Sequence, residues 1–322
     1  MRVARCFLIA VVLAFALAGW IVTQPGCVAH GASVVSVDPA RLRSHVVKLS
    51  EEFHPRSYAQ RENLARCARY IAGELAAASA VVSTQGYTVG SLQFQNVIGR
   101  FGPATGDVII VGAHYDSCDE TPGADDNASG VAGLLELARL LAHAPDVPCR
   151  VDLVAYCTEE PPFFGSPDMG SYRHAKMLAE SGTRVRAAIV LEMIGYFRDE
   201  RWSQHYPVGL LHLMYPSRGN YIGVVGNMRQ RDLVKAVKRS MAGATDLPVC
   251  STCLPAWVPG VDFSDHRSYW EFGCPAVMIT DTAFYRNGQY HRAGDTADRL
   301  DYERMAKVVA GVYAAVLALG PP

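Results

Sequence analysis

Apolar residues along the chain fall into short unbroken runs, separated by stretches in which they recur at helical spacing. The runs at 107–111, 150–157, 187–193, 221–225 and 276–280 are mostly apolar and rich in β-branched residues, the pattern of strands covered on both faces. A further strand reads over 93–101. Helical spacing appears at 41–53, 63–78, 171–179, 231–241 and 302–317, and in Val131, Leu134, Leu135, Ala138 and Leu141. Asp38-Pro39 is a helix-start signal, and the loop FHPRSYAQ separates the first two of these helices. Strand runs alternating with helical ones predict an α/β fold, with a mostly parallel, mixed central sheet flanked by helices on both faces. No internal repeat, low-complexity tract or Pro/Gly-rich linker interrupts residues 38–320, so this span reads as one domain.

The N-terminus follows a different pattern. Arg2 and Arg5 precede an apolar run from Cys6 to Val22. At about 17 residues it stands at the lower limit for crossing a bilayer, and basic residues ahead of it favour a cytoplasmic N-terminus. A secretory signal has the same form. Ala16-Leu17-Ala18 offers a cleavage site inside the apolar core, Ala29-His30-Gly31 is a poorer one, and Gln24 and Pro25 weaken a lipoprotein reading of Cys27. Residues 1–23 are therefore expected to be an uncleaved signal-anchor or a signal peptide, followed by a linker at 24–37. Either version exports the remainder, to the membrane-anchored or secreted side where disulfides persist.

Composition narrows the partners. With 322 residues, half of them apolar, the chain can bury a large core. A net charge of −1 gives no electrostatic case for nucleic acid. Nine cysteines, mostly irregularly spaced, are too few for a disulfide scaffold. Cys250 and Cys253, in CSTC, lack a second pair to complete a zinc ribbon, so a local disulfide or two free thiols is expected.

The stretch GAHYDSCDETPGADDNASG (112–130) packs five carboxylates and a histidine between an apolar strand and an apolar helix that Ser129 is placed to cap. The carboxyl end of a strand is where ligands bind in open α/β sheets. His114 and Asp126 are residue types that hold divalent zinc, and Asp116 can orient the His114 ring. Alone, this stretch is equally consistent with a solvated acidic turn. The strand VDLVAYC, however, ends in Thr158-Glu159-Glu160-Pro161-Pro162, and AAIVLEMIG inserts Glu192 into an apolar run, where a carboxylate without a partner is costly. Tyr290-His291 precedes the last helix in a polar loop and offers a second nitrogen ligand. Two neutral imidazoles and the carboxylates of Asp126, Glu160 and Glu192 bring a charge of about −3 to two zinc ions carrying +4, which favours a hydroxide nucleophile. Glu159 is left over as a general base.

GAHYDS, GADDNASG, the EE after a strand, LEMIG, and YH followed by DT resemble, as an ordered set from about Phe94 onward, the motif blocks of the zinc aminopeptidases catalogued as metallopeptidase family 28. That family also contains glutamate carboxypeptidase, glutaminyl cyclases and the transferrin receptor ectodomain. The resemblance implies a zinc-exopeptidase-like fold and two zinc ions, one held by His114 and Glu192, the other by Glu160 and His291, with Asp126 bridging. It further implies Glu159 as general base, Tyr290 as a donor to the tetrahedral intermediate, Asp116 orienting His114, and a cis peptide between Asp125 and Asp126. Many members place aspartate where Glu192 stands. Ser264-Asp265-His266 recurs in near relatives, but His266 is equally well read as structural and stays outside the ligand set.

The expected function is a metallo-aminopeptidase acting on peptides. A glutaminyl-cyclase-like acyltransferase with one zinc, or a non-catalytic receptor domain on the same fold, are the alternatives. The walls of the substrate pocket are expected to come from 163–169 and 202–220. Neither side-chain specificity nor oligomeric state is written in the sequence.

Overall fold

The structure, a computed structural model, describes residues 2–23, 35–144, 146–147 and 149–320. Most of the expected linker, including Cys27 and Ala29-His30-Gly31, lies outside the described residues. The chain begins with α1 (Arg2–Thr23), whose C-terminal carbonyl, that of Thr23, accepts hydrogen bonds from Lys238 Nζ (3.1 Å) and Ser251 Oγ (2.7 Å). Among the described residues no helix is long and apolar enough to cross a membrane.

Eight strands form one sheet: β1 (Val81–Val89), β2 (Leu92–Phe101), β3 (Val108–His114), β4 (Arg150–Tyr156), β5 (Val185–Glu192), β6 (Ile222–Gly226), β7 (Val249–Cys253) and β8 (Ala276–Thr280). Their order is β1-β2-β4-β3-β5-β8-β6-β7. The middle four, β4-β3-β5-β8, are parallel; β1, β2 and the β6/β8 pairing are antiparallel. The sheet is therefore mixed, with a parallel centre.

The unbroken apolar runs are explained by the two faces. Ile109, Val111, Leu153, Ile189, Leu191 and Ile279 face a core built with α2 (Pro39–Val47), α3 (Arg61–Ala77), α4 (Gly130–Ala142), α6 (Arg231–Ala244) and α8 (Tyr302–Ala318). Their strand neighbours Val108, Ile110, Val154 and Ala188 face a second core with α5 (Gly170–Glu180) and α7 (His266–Glu271). Because successive strand residues point to opposite faces, covering both faces demands apolar residues throughout.

Two elements escaped the periodicity. β1 is an edge strand with only Tyr87 buried, and β7 is a five-residue edge strand of small and polar residues. Cys250 and Cys253, three apart on β7, face opposite sides of the sheet, so both are free thiols.

One buried ion cluster ties α2 to α4. Glu136, fully buried, accepts from Arg41 Nε (2.9 Å) and Arg139 Nε (3.0 Å), with His45 Nε2 at 3.8 Å. Burial opposes its charge, but His45, Arg41 and Arg139 outweigh that and lower its pKa from 4.5 to about 2. A folded-state pKa below the unfolded one stabilises the fold at higher pH, so this contribution is complete above pH 4.5 and fades as pH falls towards 2. We expect Glu136→Gln to lose about 2 kcal/mol in urea unfolding at pH 7, with a smaller difference from the wild type at pH 3.

Candidate metal centre

Three strand ends deliver the site. His114 is the last residue of β3, Glu192 the last of β5, and Glu159-Glu160 follow β4. Thr158 has φ +59°, in the left-handed region, and turns the chain directly after β4, so that both of the following glutamates are buried at the sheet edge. Met193 (φ +49°) and His291 (φ +54°) turn sharply beside the same cluster. Strained non-glycine backbone of this kind concentrates where function fixes it.

The distances define two groups sharing one aspartate. His114 Nε2 lies 3.4 Å from Asp126 Oδ1, 3.3 Å from Glu192 Oε2 and 3.8 Å from Glu159 Oε2. His291 Nε2 lies 3.1 Å from both Asp126 Oδ2 and Glu160 Oε2. The two oxygens of Asp126 thus face the two histidines separately. All six of these residues, with Asp116, are brought together, and Tyr290 stacks its ring on His291 with centroids 3.8 Å apart.

Asp116 sits behind His114. The Nδ1 of His114 faces the Asp116 main-chain oxygen at 3.2 Å and its carboxylate at 3.5 Å, which turns Nε2 into the cluster. Asp116 Oδ2 also accepts from the Glu160 N–H (3.1 Å), joining the ends of β3 and β4.

The loop carrying Asp126 is held by residues the sequence reading passed over. Asn127 is the principal one: its Oδ1 accepts from the N–H groups of Gly130 and Met193 (both 3.1 Å) and its Nδ2 donates to Leu191 O (2.8 Å). Asp295 accepts from the N–H groups of Asp125 (3.1 Å) and Asp126 (3.0 Å). Arg56, wholly buried in the loop FHPRSYAQ, donates to the carbonyls of Leu49, Tyr115, Pro122 and Gly123. Gly123 has φ +57°, and a Cβ there would lie 2.2 Å from Asp126 O, so only glycine fits this turn. The sequence signal for Arg56 is weak, since a lone arginine in a polar loop normally marks a surface.

Two expectations need correction. The cis peptide joins Asp126 to Asn127, one bond later than expected. Ser129 does not cap α4: it is helical, its Oγ donates to Asp125 O (2.7 Å) and accepts from Ile194 N (3.0 Å), and Asn127 receives the Gly130 N–H instead. Glu192 has protein partners, accepting from Ser264 Oγ (2.7 Å) and Asn127 Nδ2 (3.4 Å), which its place in an apolar run did not reveal. His266, by contrast, is buried, meets Val261 O at 2.8 Å and packs edge-on against Trp270, a structural role.

Electrostatics show what the cluster lacks. Four buried carboxylates surround two imidazoles. Burial pushes Glu159 well up and Glu192 up, and burial together with Asp126 raises Glu160 to about 8. Burial alone would lower His114, but Glu159 and Glu192 outweigh it and raise it well above the ordinary imidazole value. By themselves these side chains must hold extra protons at neutral pH. His114 Nε2, His291 Nε2, Asp126 Oδ2 and Glu160 Oε1 are buried without a hydrogen-bond partner. Converging nitrogen and oxygen donors, short of positive charge and of hydrogen bonds, fit divalent cations.

Beside the cluster lies an apolar cavity of about 110 Å³, lined by Tyr206, Leu211, Tyr215, Val258, Phe263 and Phe284, with Glu192 and Tyr290 also in its wall. The expected wall at 202–220 contributes to it and 163–169 does not; residues from 250–263 and 282–285 stand in their place.

The model of peptidase family M28 matches residues 96–316, more than half of the chain. The chain belongs to peptidase family M28. The family is typically zinc-dependent, and its members point to a hydrolase acting on peptides. Escherichia coli K12 YfbL, itself uncharacterized, is 46% identical over 301 residues, covering 91% of this chain and 90% of YfbL. Leucine aminopeptidase 1 of Coccidioides posadasii is 25% identical over 224 residues, 65% of this chain and 52% of that protein, so the match spans about half of the fungal enzyme. Among solved structures, the Legionella pneumophila aminopeptidase LapA superposes with a TM-score of 0.71 at 20% identity, over 89% of this chain and 73% of LapA. Bacteroides thetaiotaomicron glutaminyl cyclase gives 0.66 at 20% identity, over 88% of this chain and 99% of the cyclase. At such identities the structures speak for the fold.

Proposed function

We propose that the chain is an aminopeptidase with two co-catalytic zinc ions, releasing large apolar residues from the N-termini of peptides. The observation that carries this reading is Asp126, whose two oxygens face His114 on one side and His291 on the other. That is the arrangement a carboxylate bridging two cations needs. His114 and Glu192 would hold one ion, Glu160 and His291 the other.

When bound, the ions polarise the scissile carbonyl and lower the pKa of water. Glu159, buried 3.8 Å from His114 Nε2 and outside the ligand set, accepts the proton from that water and delivers it to the departing amine. Tyr290, fixed by stacking on His291, donates its hydroxyl hydrogen to the developing oxyanion. The aromatic and aliphatic wall of the neighbouring cavity takes the side chain of the first substrate residue and excludes water from the reacting bond.

The test is a rate survey of the zinc-loaded protein over aminoacyl-arylamides and N-terminally blocked peptides. Leucyl and phenylalanyl arylamides are expected to turn over at least about tenfold faster than glutamyl or lysyl ones, because a charged side chain in an apolar cavity loses its hydration. Blocking the amine should abolish turnover. Cleavage of blocked peptides, or cyclisation of N-terminal glutamine with one metal per chain, would replace this reading.

Export and tethering through residues 1–23 complete the proposal, supported by Arg2 and Arg5 ahead of the apolar run. Recovery of the full-length chain in the soluble cytoplasmic fraction would refute the tether.

A further inference from the structure

Cys118 belongs to the stretch between β3 and Asp126 and took no part in the reading above. Its main-chain oxygen accepts from Thr121 N (3.0 Å) and Thr121 Oγ1 (2.7 Å), closing a turn immediately after Ser117. Its sulfur, a Glu160 carboxylate oxygen and a His291 ring nitrogen all lie within 4.8 Å of one another. Tetrahedral zinc with bonds of about 2.0–2.3 Å sets its ligand atoms roughly 3.3–3.8 Å apart, a separation that small side-chain rotations reach from here.

We propose that Cys118 is a sulfur ligand of the cation held by Glu160 and His291. The proposal rests on the metal-centre reading above. A thiol alone would carry nothing, but the groups around it are short of partners. Glu160 and Asp126 are each 4% exposed, and Glu160 Oε1, Asp126 Oδ2 and His291 Nε2 make no hydrogen bond.

The donors around the two histidines differ in kind. Around His291 there are four: His291 Nε2, Glu160, Asp126 Oδ2 and Cys118 Sγ. Around His114 Nε2 stand Asp126 Oδ1 and Glu192, with Glu159 Oε2 at 3.8 Å, all of them nitrogen or oxygen donors. On coordination the thiol proton passes to bulk water, and the thiolate adds one negative charge beside the ion. A sulfur donor also biases this site towards zinc and away from magnesium or manganese.

Cobalt(II) replacement in the full-length protein reads the sulfur directly. The wild type is expected to bind two cobalt ions and to show a sulfur-to-cobalt charge-transfer band in the near ultraviolet. Cys118→Ser should lose that band, keep the visible d–d bands of the other site, and bind its second cobalt at least about tenfold more weakly. A second measurement needs no variant: iodoacetamide should alkylate half-buried Cys118 at least about tenfold more slowly with zinc bound than after chelation, read by peptide mapping. Two bound cobalt ions without a charge-transfer band, or Cys118 alkylation indifferent to zinc, would overturn the sulfur ligand and leave the metal centre standing. A wild type that binds no cobalt would overturn both.

Discussion

Glu159→Gln is expected to keep two zinc ions per chain and to hydrolyse aminoacyl-arylamides about a thousandfold more slowly than the wild type. The replacement is nearly isosteric and removes only the ability to take a proton. Glu159 lies 3.8 Å from His114 Nε2, farther than Asp126 (3.4 Å) or Glu192 (3.3 Å), so the metal ligands stay in place. The loss should fall on kcat, with KM within a few-fold of the wild type, since a proton moves only as the transition state is approached. Undiminished turnover in this variant would remove Glu159 from the mechanism, and a fall in zinc content would make it a ligand instead.

Asp126→Asn is the second large effect and acts through binding. Asp126 faces a histidine with each oxygen, and an amide can offer only one oxygen. Zinc content measured after gel filtration should fall from two per chain to one or fewer, with activity lost in proportion. Stability gives an independent readout. A ligand present at about a thousand times its Kd adds about 4 kcal/mol to a fold that binds it only when folded. Chelation should therefore destabilise the wild type by several kcal/mol and the variant by much less.

Much of this was written in the sequence because the central strands are covered twice. A strand buried on both faces has no polar positions, so His114 and Glu192 stand out as the residues where apolar runs break at the sheet edge. Edge strands have no such requirement. Val81–Val89 buries only Tyr87 and reads as a polar segment, and Val249–Cys253 is small and short. The supports of the site were hidden for a different reason. Arg56 and Asp295 act through main-chain groups of the Asp126 loop, far from them in sequence, and a pattern of residue types does not record which carbonyls or N–H groups need partners. Asn127 shows the same limit at close range: its neighbour Ser129 is the conventional helix cap, yet the turn at Asp126 hands that task to the asparagine.

Glu192 illustrates how little an apolar context says about partners. Its setting in LEMIG marks a carboxylate that needs a partner, and Ser264 supplies one, donating a hydrogen bond at 2.7 Å to the same oxygen that faces His114. A serine more than seventy positions away leaves no trace in local periodicity. That bond orients Glu192 towards the cluster.

The most direct measurement is anomalous diffraction at the zinc absorption edge from crystals of the zinc-loaded protein. The account predicts two peaks in each chain, one among His114, Asp126 and Glu192, the other among Asp126, Glu160 and His291. A single peak, or zinc bound away from Asp126, would contradict it.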